Sequence, residues 1–521
     1  MSTPRSADLA AEYRGLGWWR EETFLDDLRA QARERPHKLA IAGRRVTESR
    51  TDTLDYAELA ELTDRFAGAL LSLGVRRGDV VAVQLPNRWE VVPLIFACMA
   101  VGAVICPISP ICPEPELRHR LALTGAPVFI GLTAEIGDRL RDELSTLEHV
   151  LEVDGTRSFH SRFVAVDHDF SLEGLAVGAD DPFLVLFTSG TTGAAKGVLH
   201  SPNTVHAAVR GYVDAYGLDD TWVAAVSTPL IHYSGFAQGV LAGVMLGGTV
   251  AFQDVRRNEV LLDLVERYGA TLLYGPPATV ADVVEAQRDE KRATPTLRHV
   301  VIGSAPVLGS LVDDVREHLG ARTYSLWGMS EMGPVTMTRP SAAADRAAFS
   351  NGVAIDSMQL RIDLSAVDGE SGVGRLRVRG AALALGYYGR EEVFAAQFDA
   401  DGWFDTGDLA RHDGHGGIRI IGRASDAILR DGQVAPMTEL EAVIGSHPRV
   451  LEAALVGLDS VICAVVVPRG AGPSLDEVRA HLVDAGQDFL PDRLELVSAL
   501  PKTLTGKVRK AELRSRYLGE R

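Results

Sequence analysis

Lysine is scarce in this sequence. The 521 residues carry 53 basic side chains, yet lysine occurs only at Lys38, Lys196, Lys291, Lys502, Lys507 and Lys510. Positive charge is in deficit overall, because 70 acidic residues leave a formal net charge of -17 at pH 7. That balance argues against a nucleic-acid partner, whose phosphate backbone is met by a basic surface. An anionic ligand would need a local pocket instead. The four cysteines, Cys98, Cys106, Cys112 and Cys463, lack metal-ligand spacing, and a reducing compartment is expected. The opening stretch MSTPRSADLAAEYRGLGWW has no apolar core of the secretory kind, so a cytoplasmic location is expected. One long apolar run exists, Val91 to Ile108, but Pro93, Gly102 and Pro107 divide it into a short helix and a strand, which excludes a membrane span. No internal repeat or low-complexity segment is visible.

What is present is the patterning of a globular protein of more than one domain, with 46% hydrophobic and 24% charged residues. TLDYAELAELTDRFAGALLSLGV repeats apolar positions at helical spacing and stops at Gly74, and DVVAVQLP follows as a buried strand. This alternation predicts α/β layers with parallel strands, and FLVLFTSG reads as another such strand. Between Gly372 and Ile421 the texture changes to short strands and turns. Beyond Arg423 it becomes a compact helix and strand mixture of domain size. The expected organisation is therefore a large N-terminal domain of layered α/β subdomains plus a β-rich subdomain over 1–422, and a small mobile α+β domain over 423–521.

At the end of the strand FLVLFTSG stands LFTSGTTGAAKGV, residues 186–198, in which glycines admit close backbone approach, hydroxyls add donors and Lys196 adds charge. The composition suits phosphate, at the strand end where open α/β sheets bind ligands. It is not a Walker loop. Counted from Gly190, Ala195 falls where the second glycine should be and Gly197 where the magnesium-binding hydroxyl should be.

The loop resembles the phosphate loop of the adenylate-forming superfamily, which includes acyl-CoA synthetases, non-ribosomal adenylation domains and luciferases. Six further segments are similar to that family's motifs, in order. STPLIHYSGF resembles the segment that puts a histidine, here His232, beside the acid substrate; alone, such a histidine is more often a satisfied core residue. VVIGSAPV resembles the turn lining the adenine, with Ser304, Ala305 and Pro306. YSLWGMSEMG resembles the aromatic-Gly-x-Thr-Glu motif, which implies Trp327, Gly328 and Met329 at the nucleotide, Ser330 on a phosphate and Glu331 on Mg²⁺. GWFDTGDLARH and RIIGRASDAI resemble the ribose motif and its continuation, with Asp408 accepting from the ribose hydroxyls and Ile420 and Arg423 nearby. LPKTLTGKVRK resembles the catalytic-lysine loop, with Lys507 framed by Thr505 and Gly506, whereas Lys502 and Lys510 read as solvated charges.

The resemblance implies a ligase that activates a carboxylic acid with ATP and Mg²⁺, releasing pyrophosphate. Thr188, Ser189, Gly190, Thr191, Thr192, Gly193 and Lys196 would hold the triphosphate, while Lys507, His232, Ser330 and Glu331 would serve the chemistry. A domain rotation about Ser425 would then bring Gly432 to a thiol tunnel for transfer to CoA. The closest branch is the ligases for cyclohexanecarboxylate and medium-chain or aryl acids, with Tyr233, Phe236, Tyr274, Gly275 and Met329 lining a modest apolar pocket. The sequence departs from the family at Ala195, Ser325, Arg375 and Ser425, and in a hairpin shortened between Gly457 and Ala464. The last two changes touch the mobile domain and leave other acceptors open: a carrier-protein thiol, an amine, or nitrite activation that diazotises an aryl amine. A catalytically silent adenylate-binding protein is the remaining alternative.

Overall fold

The computed structural model describes residues 7–154, 159–166, 170–188, 195–366, 372–430, 432–458, 460–502 and 508–518. Two large sheets dominate. One has seven strands in the spatial order Gly386–Tyr387, Lys196–His200, Leu184–Thr188, Val104–Pro107, Val80–Gln84, Val128–Gly131 and His149–Glu152. The other has nine, with the parallel strands Thr249–Gln253, Val223–Val226, Leu272–Gly275, His299–Ile302 and Arg322–Met329 at its centre.

Alternation along the strands sorts side chains into layers. Val81, Val83, Ile105 and Leu184 of the smaller sheet and Val226, Val250 and Phe252 of the larger belong to one core that encloses the helices Val91–Ala100 and Pro202–Tyr216. The intervening positions Val80, Ala82, Val104 and Cys106 pack outward against the helix Glu114–Thr124. Leu273, Val300 and Ile302 pack outward against Asn258–Tyr268 and Pro277–Asp289. The result is an α/β stack of helices, sheet, helices, sheet and helices, followed by a four-stranded antiparallel sheet, Met358–Asp363, Gly374–Gly380, Phe404–His412 and Ile418–Arg423.

The helix Tyr56–Ser72 starts on a reciprocal cap, Asp55 accepting from the Glu58 amide at 2.8 Å and the Glu58 carboxylate from the Asp55 amide at 2.9 Å. The long apolar run folds as a helix whose ten residues are all buried, a turn at Gly102, and the strand Val104–Pro107. Among the described residues, no helix is long and apolar enough to cross a membrane. All four cysteines are buried and free, and burial pushes the Cys106 thiol up to about 12 and those of Cys112 and Cys463 to about 11.

Leu184–Thr188 corrects the expectation of a wholly parallel layer. It runs parallel to Val104–Pro107 but antiparallel to Lys196–His200, because the chain returns directly instead of crossing over through a helix. Past Arg423 a three-stranded sheet, Val450–Leu458, Val461–Pro468 and Arg493–Leu496, carries the helices Met437–Gly445 and Leu475–Asp484 on one face and Lys510–Leu518 on the other. It meets the four-stranded sheet through Val434, packed with Leu409 and Ile421, and through the Thr438 hydroxyl, which donates to the Ile421 carbonyl at 3.0 Å.

Candidate functional site

The phosphate-like loop joins two antiparallel strands whose ladder closes at Thr188 opposite Lys196. Ser189, Gly190, Thr191, Thr192 and Gly193 lie outside the described residues. The Thr188 hydroxyl donates to the Lys196 carbonyl at 3.4 Å, and the Lys196 ammonium stands 4.8 Å from the ring centre of Tyr387. Tyr387 is brought there by the short strand Gly386–Tyr387, which pairs with Lys196–His200. Its hydroxyl donates to Glu331 Oε1 at 2.9 Å, and both residues are buried. Burial, and after it the adjacent Glu331 carboxylate, hold the phenol far above its ordinary pKa, so it remains a donor. One tyrosine thus touches both Lys196, which the resemblance assigns to the triphosphate, and Glu331, which it assigns to Mg²⁺.

Glu331 sits in the tight connection between Arg322–Met329 and Gly333–Met337. Backbone proximity makes the glycines of WGMSEMG necessary: a Cβ on Gly328 would lie 2.0 Å from the Gly333 carbonyl oxygen, and Gly333 has φ +66. Ser330 is half-buried, and its carbonyl accepts from His200 Nε2 at 2.7 Å. A carbonyl can only accept, so this nitrogen of the fully buried His200 carries the proton. The Ala384 amide donates to the Glu331 carbonyl at 2.7 Å. The turn is therefore held from two sides.

On the same strand, Trp327 Nε1 donates to Asp408 Oδ2 at 3.1 Å, and Arg423 Nε lies 3.1 Å from Asp408 Oδ1. Arg423 also donates to the Thr406 carbonyl at 2.9 Å, and the Thr406 hydroxyl receives the Asp408 amide at 3.1 Å. Arg375 forms an ion pair with Asp405 at 2.8 Å and so braces the same FDTGD turn. Asn351 joins the two sheets: its side chain donates to Ser325 Oγ at 3.4 Å and accepts from the Ile420 amide at 2.9 Å. Ser304 and Ala305 are exposed and Pro306 half-buried after the strand His299–Ile302, and Ser304 holds φ +73, which is costly for a residue with a Cβ.

On the acid side, His232 is half-buried with Nδ1 3.0 Å from the Ser234 hydroxyl. Burial pushes the Tyr274 hydroxyl up to about 12, moderated by its hydrogen bond with Ser234. A Cβ on Gly275 would lie 2.8 Å from Ser227 Oγ. Met329 is half-buried. Two residues expected in the pocket are buried. Phe236 has no exposed surface and packs against Phe183 with ring centres 6.3 Å apart, because the helical segment Ser234–Leu241 turns it into the core between the sheets. Tyr233 is buried under the turn, against Gly333 and with its ring 5.4 Å from that of His200.

Lys507 lies outside the described residues. Ser425 is exposed, and its carbonyl accepts from Arg514 Nη1 at 2.7 Å, while Arg514 also pairs with Asp426. Gly432 is exposed with φ +74. The shortened hairpin keeps a full antiparallel ladder up to Leu458 opposite Val461. Lys510 is not simply solvated: its ammonium pairs with Glu441 at 2.6 Å and its side chain is only 18% exposed.

Tyr387, His200 and Asn351 escaped the sequence reading. A run of glycine and tyrosine, GYYG at 386–389, was the one visible hint of the first. Among the described residues no three His, Cys, Asp or Glu form a resident metal site. A single buried carboxylate, Glu331, fits a Mg²⁺ that arrives on nucleotide phosphates and takes most of its ligands from them.

A large α/β N-terminal domain followed by a small C-terminal domain is the architecture of the adenylate-forming class. The chain belongs to the AMP-binding enzyme family, which it matches over residues 28–388, with the family's C-terminal domain matched over 439–507. It is 27% identical to the medium-chain fatty-acid–CoA ligase of Escherichia coli K12, across 97% of this chain and 92% of the relative. It is 30% identical to the salicyl-AMP ligase / salicyl-S-ArCP synthetase of Mycobacterium tuberculosis, across 97% and 93%. ATP-bound MatB from Rhodopseudomonas palustris superposes with a TM-score of 0.82 at 26% identity, covering 96% of this chain and 99% of MatB. The protein is an AMP-forming acid ligase.

Proposed function

We propose that the protein converts a medium-chain, alicyclic or aryl carboxylic acid to its acyl-AMP with release of pyrophosphate, and then transfers the acyl group to CoA. The observation that carries this reading is the chain of contacts Lys196–Tyr387–Glu331 and Trp327–Asp408–Arg423 around one hairpin. A carboxylate reacts poorly with thiols because its leaving group would be oxide, and adenylation supplies a better one. The barrier is that two anions must meet while charge builds on phosphoryl oxygens. Lys196 and the hydroxyls around it hold the leaving pyrophosphate, and Lys507 neutralises charge at the α-phosphate. A bound Mg²⁺ on Glu331 would neutralise phosphate oxygens further. Asp408 accepts from the ribose hydroxyls, and His232 lies beside the acid. The units that reorient between half-reactions are 1–422 and 423–521, with Ser425 as pivot and Gly432 at the thiol tunnel.

The test is an acid-dependent pyrophosphate-release screen with and without CoA, with products identified by mass spectrometry. Thioester formation from one acid class is the expected result, and silence across all acids would overturn the reading. A second acceptor, a carrier-protein thiol, is favoured by one observation: the hinge position carries serine rather than the usual Asp or Lys. Pyrophosphate release without a CoA thioester would select it.

A further inference from the structure

We infer that the indole N–H of Trp327 makes this residue a positioning element for ribose recognition, acting through Asp408. The inference rests on the proposed nucleotide site and deepens it. Trp327 and Asp408 come from different sheets, 81 positions apart, and meet in a buried hydrogen bond of 3.1 Å. Both residues are less than 10% exposed.

A carboxylate on an antiparallel strand can turn about its χ2 torsion, and a ribose diol is bound well only when the acceptor lone pairs face it. Two donors fix this carboxylate and a third bond anchors its backbone. Arg423 Nε takes Oδ1, the indole takes Oδ2, and the Asp408 amide is anchored to Thr406 Oγ1. A carboxylate oxygen can accept more than one hydrogen bond, so the bonds to the indole and to Arg423 can orient the group toward a further donor. Arg423 is 44% exposed at its side chain and lies on the last residue of its strand, so its hold is the more easily lost. The indole is the buried and rigid member of the pair. A phenylalanine at 327 could stack on a base but could not donate, and a tyrosine carries its donor at the far end of the ring, out of line with the indole nitrogen. The identity of the aromatic at this position therefore sets how strictly the sugar is read, separately from how well the base is held.

The experiment measures kcat/KM of the acid-dependent adenylation for ATP, 2′-deoxy-ATP and 3′-deoxy-ATP in wild type, Trp327→Phe, Asp408→Ala and the double variant. Wild type should prefer ATP over at least one deoxy analogue by on the order of 10- to 100-fold, as expected for a hydrogen bond to a charged acceptor. Trp327→Phe should reduce that preference to a few-fold, and in the Asp408→Ala background it should change the preference no further. Equal discrimination by wild type and Trp327→Phe would overturn the inference. No discrimination in wild type would instead remove the ribose role of Asp408 on which it rests. Should Trp327→Phe fail to fold, β-(3-benzothienyl)alanine at position 327 keeps the bicyclic ring and lacks only the N–H. A merely structural role would lower activity with all three nucleotides equally and so also overturn the inference.

Discussion

The Glu331 hairpin of the large domain and the Ser425 segment at the start of the small one, the proposed nucleotide site and the proposed hinge, are built differently. Around the Glu331 hairpin the contacts are mostly buried: Tyr387 on the Glu331 carboxylate, His200 on the Ser330 carbonyl, and Trp327 on Asp408, with the more exposed Arg423 on the other Asp408 oxygen. At the proposed hinge, Ser425 is exposed and its carbonyl is held by Arg514, reaching back from the last described helix. A site that must stabilise developing charge gains from groups that need no reorganisation. A pivot must change its φ and ψ between two states, so it has to be held loosely. Of the two departures from the family pattern in the small domain, Ser425 is exposed, whereas the hairpin keeps its ladder with Val456, Ile462 and Cys463 fully buried.

The sharpest way to break this division is Lys507→Ala. If the small domain serves adenylation only through that lysine, pyrophosphate exchange should fall by at least about 10²-fold. Conversion of a supplied acyl-adenylate to product should persist. A variant that keeps full exchange activity would remove Lys507 from the mechanism. Next in size is Tyr387→Phe, which keeps the ring against Lys196 and deletes the donor to Glu331. Partners behind a metal ligand typically contribute about 10- to 100-fold to metal affinity. The Mg²⁺ dependence of nucleotide binding, followed by calorimetry with and without the metal, should weaken by that order, while binding of metal-free ATP changes little. Equal weakening of both would make Tyr387 a packing residue.

Much of the large domain could be read in advance because its motifs carry local constraints. Gly328 and Gly333 are demanded by the hairpin itself, and the cap at Asp55 and the stop at Gly74 bracket one helix. The residues that escaped act across long separations: Tyr387 on Glu331 over 56 positions, His200 on Ser330 over 130, Asn351 on Ile420 over 69. No periodicity encodes such pairs. The burial of Phe236 was not legible for a related reason, since an apolar residue beside a motif looks the same whether it faces a ligand or the core.

A smaller effect separates the half-reactions at the hinge. The Ser425 carbonyl lies on the far side of the rotatable bonds of Ser425, so the Arg514 bond ties that peptide plane to the small domain and confines rotation to Ser425 and the residues before it. Removing one partly buried ion pair is worth about 1 kcal/mol, and Arg514→Gln should slow transfer from a supplied acyl-adenylate a few-fold while pyrophosphate exchange stays close to wild type. Equal slowing of both would mean that Arg514 holds the domain together rather than its pivot.

The smallest effect lies in the small domain away from any ligand. Ser474 caps the helix Leu475–Asp484 by a reciprocal box with Glu477, its amide donating to the Glu477 carboxylate at 2.8 Å. That amide bond first, then the Arg449 guanidinium, hold the Glu477 carboxyl down at about 2. A carboxylate with a depressed folded pKa contributes stability that is complete above its ordinary value of 4.5 and is lost as the pH falls from there toward 2. Ser474→Ala should cost about 1 kcal/mol in a denaturant titration that follows the small domain, with both half-reactions intact at neutral pH. Glu477→Gln should flatten the acid limb of the same domain's stability profile and leave the large domain's limb alone. If the whole chain lost its acid sensitivity together, the two regions would be one cooperative unit, and the looseness at the hinge would not extend to their unfolding.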